Sequence, residues 1–252
     1  MSNNVVAKVK EVLNSQSYVE RCLDFFSRDN EKFTKFKSVL INISGNQSLA
    51  NCTAESIISS AFSLAELDLD INPLLNQCYI VSYKKEAEPV ISYKGWKTIL
   101  KRSGRDCKAF SVFNCDNFEM DLSDFDEKIV FKPNFKYIKE SDDKWYKENL
   151  LGVVVKIFSN DFKKIIFVSK EKIEKIKGKS PSANSQYSPY NNWAEEMYLA
   201  KAIKYVLSRE PLGSKDEIIA KGIDLESKQE IKRKNEIEVD NISLEIENEI
   251  ND

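Results

Sequence analysis

The chain has 252 residues, with 38 basic and 40 acidic side chains, no histidine and only 7 glycines. That composition suits one large domain, or a domain plus an appendage. It excludes His-based triads and His-ligated zinc and, with neither GxxxxGK[ST] nor GxGxxG present, the glycine-rich phosphate loops. The net charge of -2 hides a division: residues 222–252 hold ten acidic and four basic residues, so residues 1–221 carry 34 basic against 30 acidic. A mildly basic body with an acidic tail points to a polyanionic partner.

Taken in chain order, residues 5–26 and 30–43 read as two helices, the second with Phe33, Phe36, Val39, Leu40 and Ile43 at helical spacing. Residues 53–67 form the clearest amphipathic helix. Thr53 is placed as its N-cap, Glu55 falls in the first turn, and Ile57, Ile58, Ala61, Phe62, Leu64 and Ala65 share one side. Ser56, Ser59, Ser60, Ser63 and Glu66 share the other, and this helix is assigned to core packing. Residues 77–83 and 90–93 read as strands of a hairpin around KKEAEP. A helix at 94–103 stops at Ser103-Gly104. Strands follow at 107–113, 128–138, 150–158 and 162–168, the last two joined at Ser159-Asn160-Asp161. Next come a lysine-rich helix at 170–177, a Ser/Pro/Asn loop at 178–192, and a helix at 193–209 that ends before Pro211. Beyond residue 213 aromatics vanish, and the segment reads as disordered or as a small helical module. The predicted fold class is α+β, helices around a small antiparallel sheet with β-hairpins, with a core over 1–212 and an acidic tail over 213–252.

The five cysteines, Cys22, Cys52, Cys78, Cys107 and Cys115, form no CxxC pair and read as reduced thiols. No apolar run reaches the ~18 residues a membrane span needs. The N-terminus shows no charged-then-apolar export pattern, so a cytoplasmic protein without membrane contact is expected.

Three surfaces could carry chemistry. On the 94–103 helix, at 100° per residue, Lys94, Lys97, Lys101 and Arg102 fall in one arc, with Arg105 just beyond, while Trp96, Ile99 and Leu100 lie opposite. Such a strip suits nucleic-acid backbone contact, and equally a solvated charged face. On the 193–209 helix, Lys201, Lys204, Tyr198, Tyr205 and Arg209 gather opposite the Leu199–Ile203–Val206 side. Cations mixed with tyrosines can pair with phosphates and stack bases, although snorkelling surface lysines explain the same pattern. Lys201 and Lys204 are expected to be solvent-facing, and replacing both to cost the fold little. The third surface is a secondary basic patch, Lys163, Lys164 and Lys170, continuing through Lys172, Lys175, Lys177 and Lys179. A metal-dependent nuclease remains an alternative, because Asp116, Glu119, Asp121, Asp124 and Asp126 cluster in sequence. A non-catalytic interaction protein without a DNA role is another.

Three blocks of residues carry a resemblance. The first runs through Cys52-Thr53-Ala54-Glu55-Ser56-Ile57, Leu67-Asp68-Leu69, Asn72-Pro73-Leu74 and Gln77-Cys78-Tyr79-Ile80. The second is Tyr93-Lys94-Gly95 followed by Arg102-Ser103-Gly104, and the third is Trp193 with Met197, Lys201, Ala202, Ile203, Lys204 and Pro211. In order and spacing these blocks, covering roughly residues 30–212, resemble the RecT family of phage and prophage single-strand annealing proteins. Lys201 follows Met197 by four residues, as in the related lambda Bet pattern. The resemblance implies an ATP-independent recombinase without cofactor, metal or hydrolytic chemistry. Such a protein binds single-stranded DNA and the annealed duplex and assembles into rings or helical filaments. It also implies that the tail docks a partner exonuclease or single-strand-binding protein.

Overall fold

The computed structural model describes residues 2–121, 128–139, 142–160, 162–177 and 189–232. The architecture is α+β, and the chain divides into two units, Met1–Thr98 and Ile99–Asp252.

The first unit opens with helices α1 (Ser2–Asn14), α2 (Gln16–Phe25) and α3 (Asn30–Ser44). The single helix expected over 5–26 is therefore two. Ser15 breaks it in an extended conformation (φ −65°, ψ 138°), and its hydroxyl donates to the Val12 carbonyl at 2.8 Å, a local bond that competes with the helical ladder. Helix α4 (Ala54–Glu66) starts where the sequence places it, the Thr53 hydroxyl accepting from Ser56 N at 3.2 Å. Val9, Leu13, Leu40, Ile57, Ala61 and Leu64 form its buried packing with α1 and α3. Phe26, Phe36 and Phe62 meet edge-on or tilted, Phe36 and Phe62 at 5.1 Å between centroids. Ser60 departs from the expected polar face. It is buried, and its hydroxyl donates to Ala87 O at 2.8 Å while Ser56 Oγ accepts from Ala87 N at 2.9 Å, so α4 is stitched to a strand by two serines.

That strand is β2 (Glu86–Ile91), antiparallel to β1 (Cys78–Tyr83). The turn is Lys84-Lys85, shorter than expected, with Lys84 at φ 54°. Pro89 is tolerated because β2 pairs with β1 alone. Cys22, Cys52, Cys78 and Cys107 are buried thiols not joined in a disulfide, and burial pushes Cys22 up to about 11 and Cys78 to about 12, where these two are inert at neutral pH.

Helix α5 (Tyr93–Arg102) leads into the second unit. There β3 (Asp106–Phe113), β6 (Leu150–Phe158) and β7 (Lys163–Ser169) form an antiparallel sheet in the order β3-β6-β7. A hairpin of β4 (Asn117–Asp121) and β5 (Lys128–Lys132) packs Phe118, Met120, Ile129 and Phe131 onto Val112, Val154 and Ile165. Strand β4 was not foreseen, and the strand expected over 128–138 ends at Lys132, before Pro133. Helices α7 (Lys170–Lys177) and α9 (Ala194–Leu207) contact β6, whose Val153 and Val155 are buried as fully as Val154. Both faces of the central strand are thus covered, which is why it reads LLGVVVKIF rather than alternating. Gly152 is required at its start, since a Cβ there would meet Phe167 and the Val168 carbonyl at 2.5 Å.

Helix α6 (Asp143–Asn149), capped by Asp142, supplies Tyr146, which shares a hydrogen bond with Ser111 Oγ at 2.6 Å and stacks edge-on against Tyr198. Pro189–Asn192 forms the short helix α8, and the rest of the expected Ser/Pro/Asn loop lies outside the described residues. A last helix, α10, spans 217–232 after a 3-10 turn at Ser214–Asp216. Of the two readings of the segment after 213, disordered or a separate small helical module, residues 217–232 are helical. Ile219 is fully buried and Glu226 nearly so.

Candidate nucleic-acid interface

Helix α5 owes both ends to local chemistry. Ser92 Oγ accepts from Gly95 N at 3.0 Å and donates to Asn76 O and Gln77 O, tying the helix start to the residues before β1. Gly95 is obligatory: a Cβ there would lie 2.1 Å from Gln77 O. At the other end Gly104 takes φ 79°, Arg105 N donates to Leu100 O at 3.0 Å and Gly104 N to Lys101 O at 3.1 Å, a Schellman closure. Both glycines of the YKG…RSG pattern are therefore structural requirements of this helix.

Between these ends Trp96, Ile99 and Leu100 are fully buried, as their spacing predicts. Lys94, Lys101 and Arg102 are exposed and Lys97 half-buried, its ammonium 5.5 Å from the Tyr93 ring centre. No ion pair joins Lys94, Lys97 or Lys101 to a carboxylate among the described residues. Arg105 differs from expectation. The Schellman turn swings it inward to an ion pair with Asp216, both side chains largely buried. Burial works against the Asp216 carboxylate, but the Gly213 amide and the Arg105 guanidinium outweigh it and lower its pKa.

The 193–209 surface is corrected more thoroughly. Tyr198 is fully buried, and its hydroxyl donates to Glu174 Oε1; burial and that carboxylate push its pKa up. Lys204 is buried and Lys201 nearly so, against the expectation that both face solvent. The reason is α10. Lys201 Nζ donates to Glu226 Oε2 at 3.0 Å and Glu230 Oε1 at 3.1 Å, and Lys204 Nζ donates to Glu230 Oε1 at 2.8 Å with Glu226 Oε2 at 3.7 Å. Lysines at i and i+3 on one helix thus meet acids at i and i+4 on another. Burial alone would lower the pKa of Lys201, yet Glu226, the Tyr190 hydroxyl and Glu230 outweigh it and the pKa is raised. Glu230 shifts down, its burial outweighed by the two ammonium groups. The acids 226 and 230 were missed in the sequence because the segment beyond 213 reads as disordered or as a separate small helical module, with no partner assigned to it. Their spacing, matched to the two lysines, was the available signal.

What stays outward on this side is a smaller cluster. Tyr205 carries the Arg209 guanidinium 3.6 Å and the Lys172 ammonium 5.7 Å from its ring centre. In the secondary patch Lys163 is exposed and Lys170 half-buried, while Lys164 pairs with the buried carboxylate of Glu210 at 2.7 Å. The described acids of the cluster, Asp116, Glu119 and Asp121, do not converge. Asp116 accepts from Phe113 N and Asn134 N, both at 2.9 Å; Glu119 and Asp121 point outward from β4; Asp124 and Asp126 lie outside the described residues. Among the described residues no three His, Cys, Asp or Glu side chains gather as a metal site, and no helix is long and apolar enough to cross a membrane.

The comparisons with known proteins agree with the blocks that build α4, α5 and α9. The RecT family profile matches residues 31–235. That span runs through α10, the helix whose acids hold Lys201 and Lys204. A protein of Bacillus subtilis (strain 168), "Uncharacterized protein YqaK", is 28% identical over 204 residues, covering 81% of this chain and 67% of its own length. With a match running from α3 through α10, the chain belongs to the RecT family.

Proposed function

We propose that this protein binds single-stranded DNA through its phosphate backbone and anneals complementary strands in homologous recombination, without ATP and without reading sequence. The observation that carries this is the outward face of α5. Lys94, Lys97 and Lys101 have no carboxylate partner among the described residues, and they stand on a helix held in place by its buried Trp96 side. Membership of the RecT family supports the same reading. Contacts to phosphate leave base edges free, so pairing between strands supplies the specificity and the protein supplies alignment. Arg102 on the same helix, and Arg209, Tyr205, Lys172 and Lys163 in the second unit, are further contacts in this proposal. Arg105, Lys201, Lys204 and Tyr198 are left out, being engaged internally. Assembly of several copies into a ring or filament, and docking of a partner nuclease or single-strand-binding protein on the acidic C-terminal segment, belong to the same proposal.

The test is a salt titration of oligonucleotide affinity. About four phosphate contacts per subunit give a slope of log K against log salt of roughly -3 for single strands, and the triple variant Lys94→Ala, Lys97→Ala, Lys101→Ala flattens it by roughly 2. Its melting temperature falls only modestly: at the exposed Lys94 and Lys101 substitutions shift stability by about 0.5 kcal/mol each, and the half-buried Lys97 adds the loss of its contact with the Tyr93 ring. An unchanged slope removes α5 from the interface, and a parent slope near zero removes backbone binding altogether.

A further inference from the structure

The turn after β5 reads Lys132-Pro133-Asn134-Phe135-Lys136-Tyr137-Ile138-Lys139, lysines interleaved with aromatics. Phe135 is 77% exposed and Tyr137 53%. A phenylalanine left in water forgoes the stabilisation that burial would give it, and nothing loose in the backbone explains it. Asn134 N donates to Asp116 Oδ1 at 2.9 Å, the other oxygen of that carboxylate accepts from Phe113 N, and Tyr137 N closes the turn on Asn134 O at 3.0 Å. At the far end Lys139 O accepts from Asp142 N at 3.0 Å, and Asp142 in turn caps α6. Both rings are thus presented on a segment tied to the body at each end. The Lys136 ammonium stands 5.5 Å from the Tyr137 ring centre, and neither Lys132 nor Lys139 pairs with a described carboxylate.

We infer that this turn is a base-stacking platform for single-stranded nucleic acid, with Phe135 and Tyr137 as the ring surfaces and Lys132, Lys136 and Lys139 as backbone partners. The inference rests on the single-strand reading above and adds to it a contact to the base faces. Charge decides the occupant. Residues 132–139 contain three lysines and no acid, which favours a polyanionic ligand, and the exposed rings call for flat apolar partners alternating with that charge. An unpaired strand offers both, whereas the base faces of a duplex are hidden in its stack.

The experiment compares two probes of equal length by fluorescence anisotropy across a range of salt: an oligo-dT strand and a strand of abasic sites with the same phosphates. Phe135→Ala is expected to weaken oligo-dT binding on the order of tenfold. It leaves abasic binding and the salt slope unchanged, and Phe135→Trp restores affinity. Equal loss on both probes, or no loss on either, overturns the stacking role while leaving strand binding intact. Failure of the parent protein to bind either probe at low salt instead overturns the functional reading beneath it. A variant whose DNA-free assembly shrinks while its oligo-dT affinity holds would mean that the rings seat a second copy of the chain, which also overturns the inference.

Discussion

Lys201 and Lys204 show what a single side chain's setting decides. By helical spacing they belong to a cationic face, yet each is held by two carboxylates in a nearly dry cluster. Removing one side of such a cluster leaves charges buried without partners, which typically costs about 3–5 kcal/mol. Lys201→Ala with Lys204→Ala is therefore expected to lower the denaturation midpoint sharply, and adding Glu226→Gln and Glu230→Gln should recover part of the loss. Thermal denaturation of the double and quadruple variants checks this, and a double variant as stable as the parent would contradict the buried cluster. The pH dependence follows from the directions of shift. Lys201, raised, contributes stability that is complete below the ordinary lysine value of ~10.4 and is lost as pH climbs through its folded value. Glu230, lowered, contributes stability present above ~4.3 and lost as pH falls through its folded value. The stability gap between the parent and Glu230→Gln should thus be full near pH 7 and close in acid, as read by denaturant midpoints from pH 3 to 7.

At the scale of elements, α5 is where sequence and structure agree most closely. The amphipathic spacing, the buried Trp96 side and the stop at Gly104 were all legible, because a helix in a pinned position obeys its own periodicity. Gly95 was legible only as part of a family pattern; its reason, 2.1 Å of clearance to Gln77 O, is a contact between segments 18 residues apart. Gly95→Ala must displace backbone and is expected to cost about 2–3 kcal/mol. Gly104→Ala has open space around it but keeps φ 79°, and should cost about 1 kcal/mol, with Asn tolerated better. Chemical denaturation of these variants separates steric from conformational cost, and the reverse order would contradict the assignment. Strand β4 and the early end of β5 escaped detection for a local reason. Asn117–Asp121 half-buries only two side chains, so its alternation is too short to stand out from the acids around it.

At the scale of the whole molecule, α10 settles which part of the acidic segment is structural. Asp216 holds Arg105, and Glu226 and Glu230 hold α9, so residues 214–232 close contacts inside the second unit. A chain ending at Gly213 should melt lower and expose Lys201 and Lys204, whereas one ending at residue 232 keeps every one of these partners. Calorimetry of the two truncations distinguishes them; equal melting would contradict the packing of α10. The sequence by itself determined the α+β class, the helix at α4 with its cap, the cationic face of α5, the continuous apolar strand β6 and the family, since each depends on spacing within one segment or on the order of short motifs. Only tertiary structure decided which cations remain available. Whether a lysine faces water or a carboxylate depends on a helix 25 residues further along the chain, and no periodicity within α9 encodes the arrival of Glu226 and Glu230.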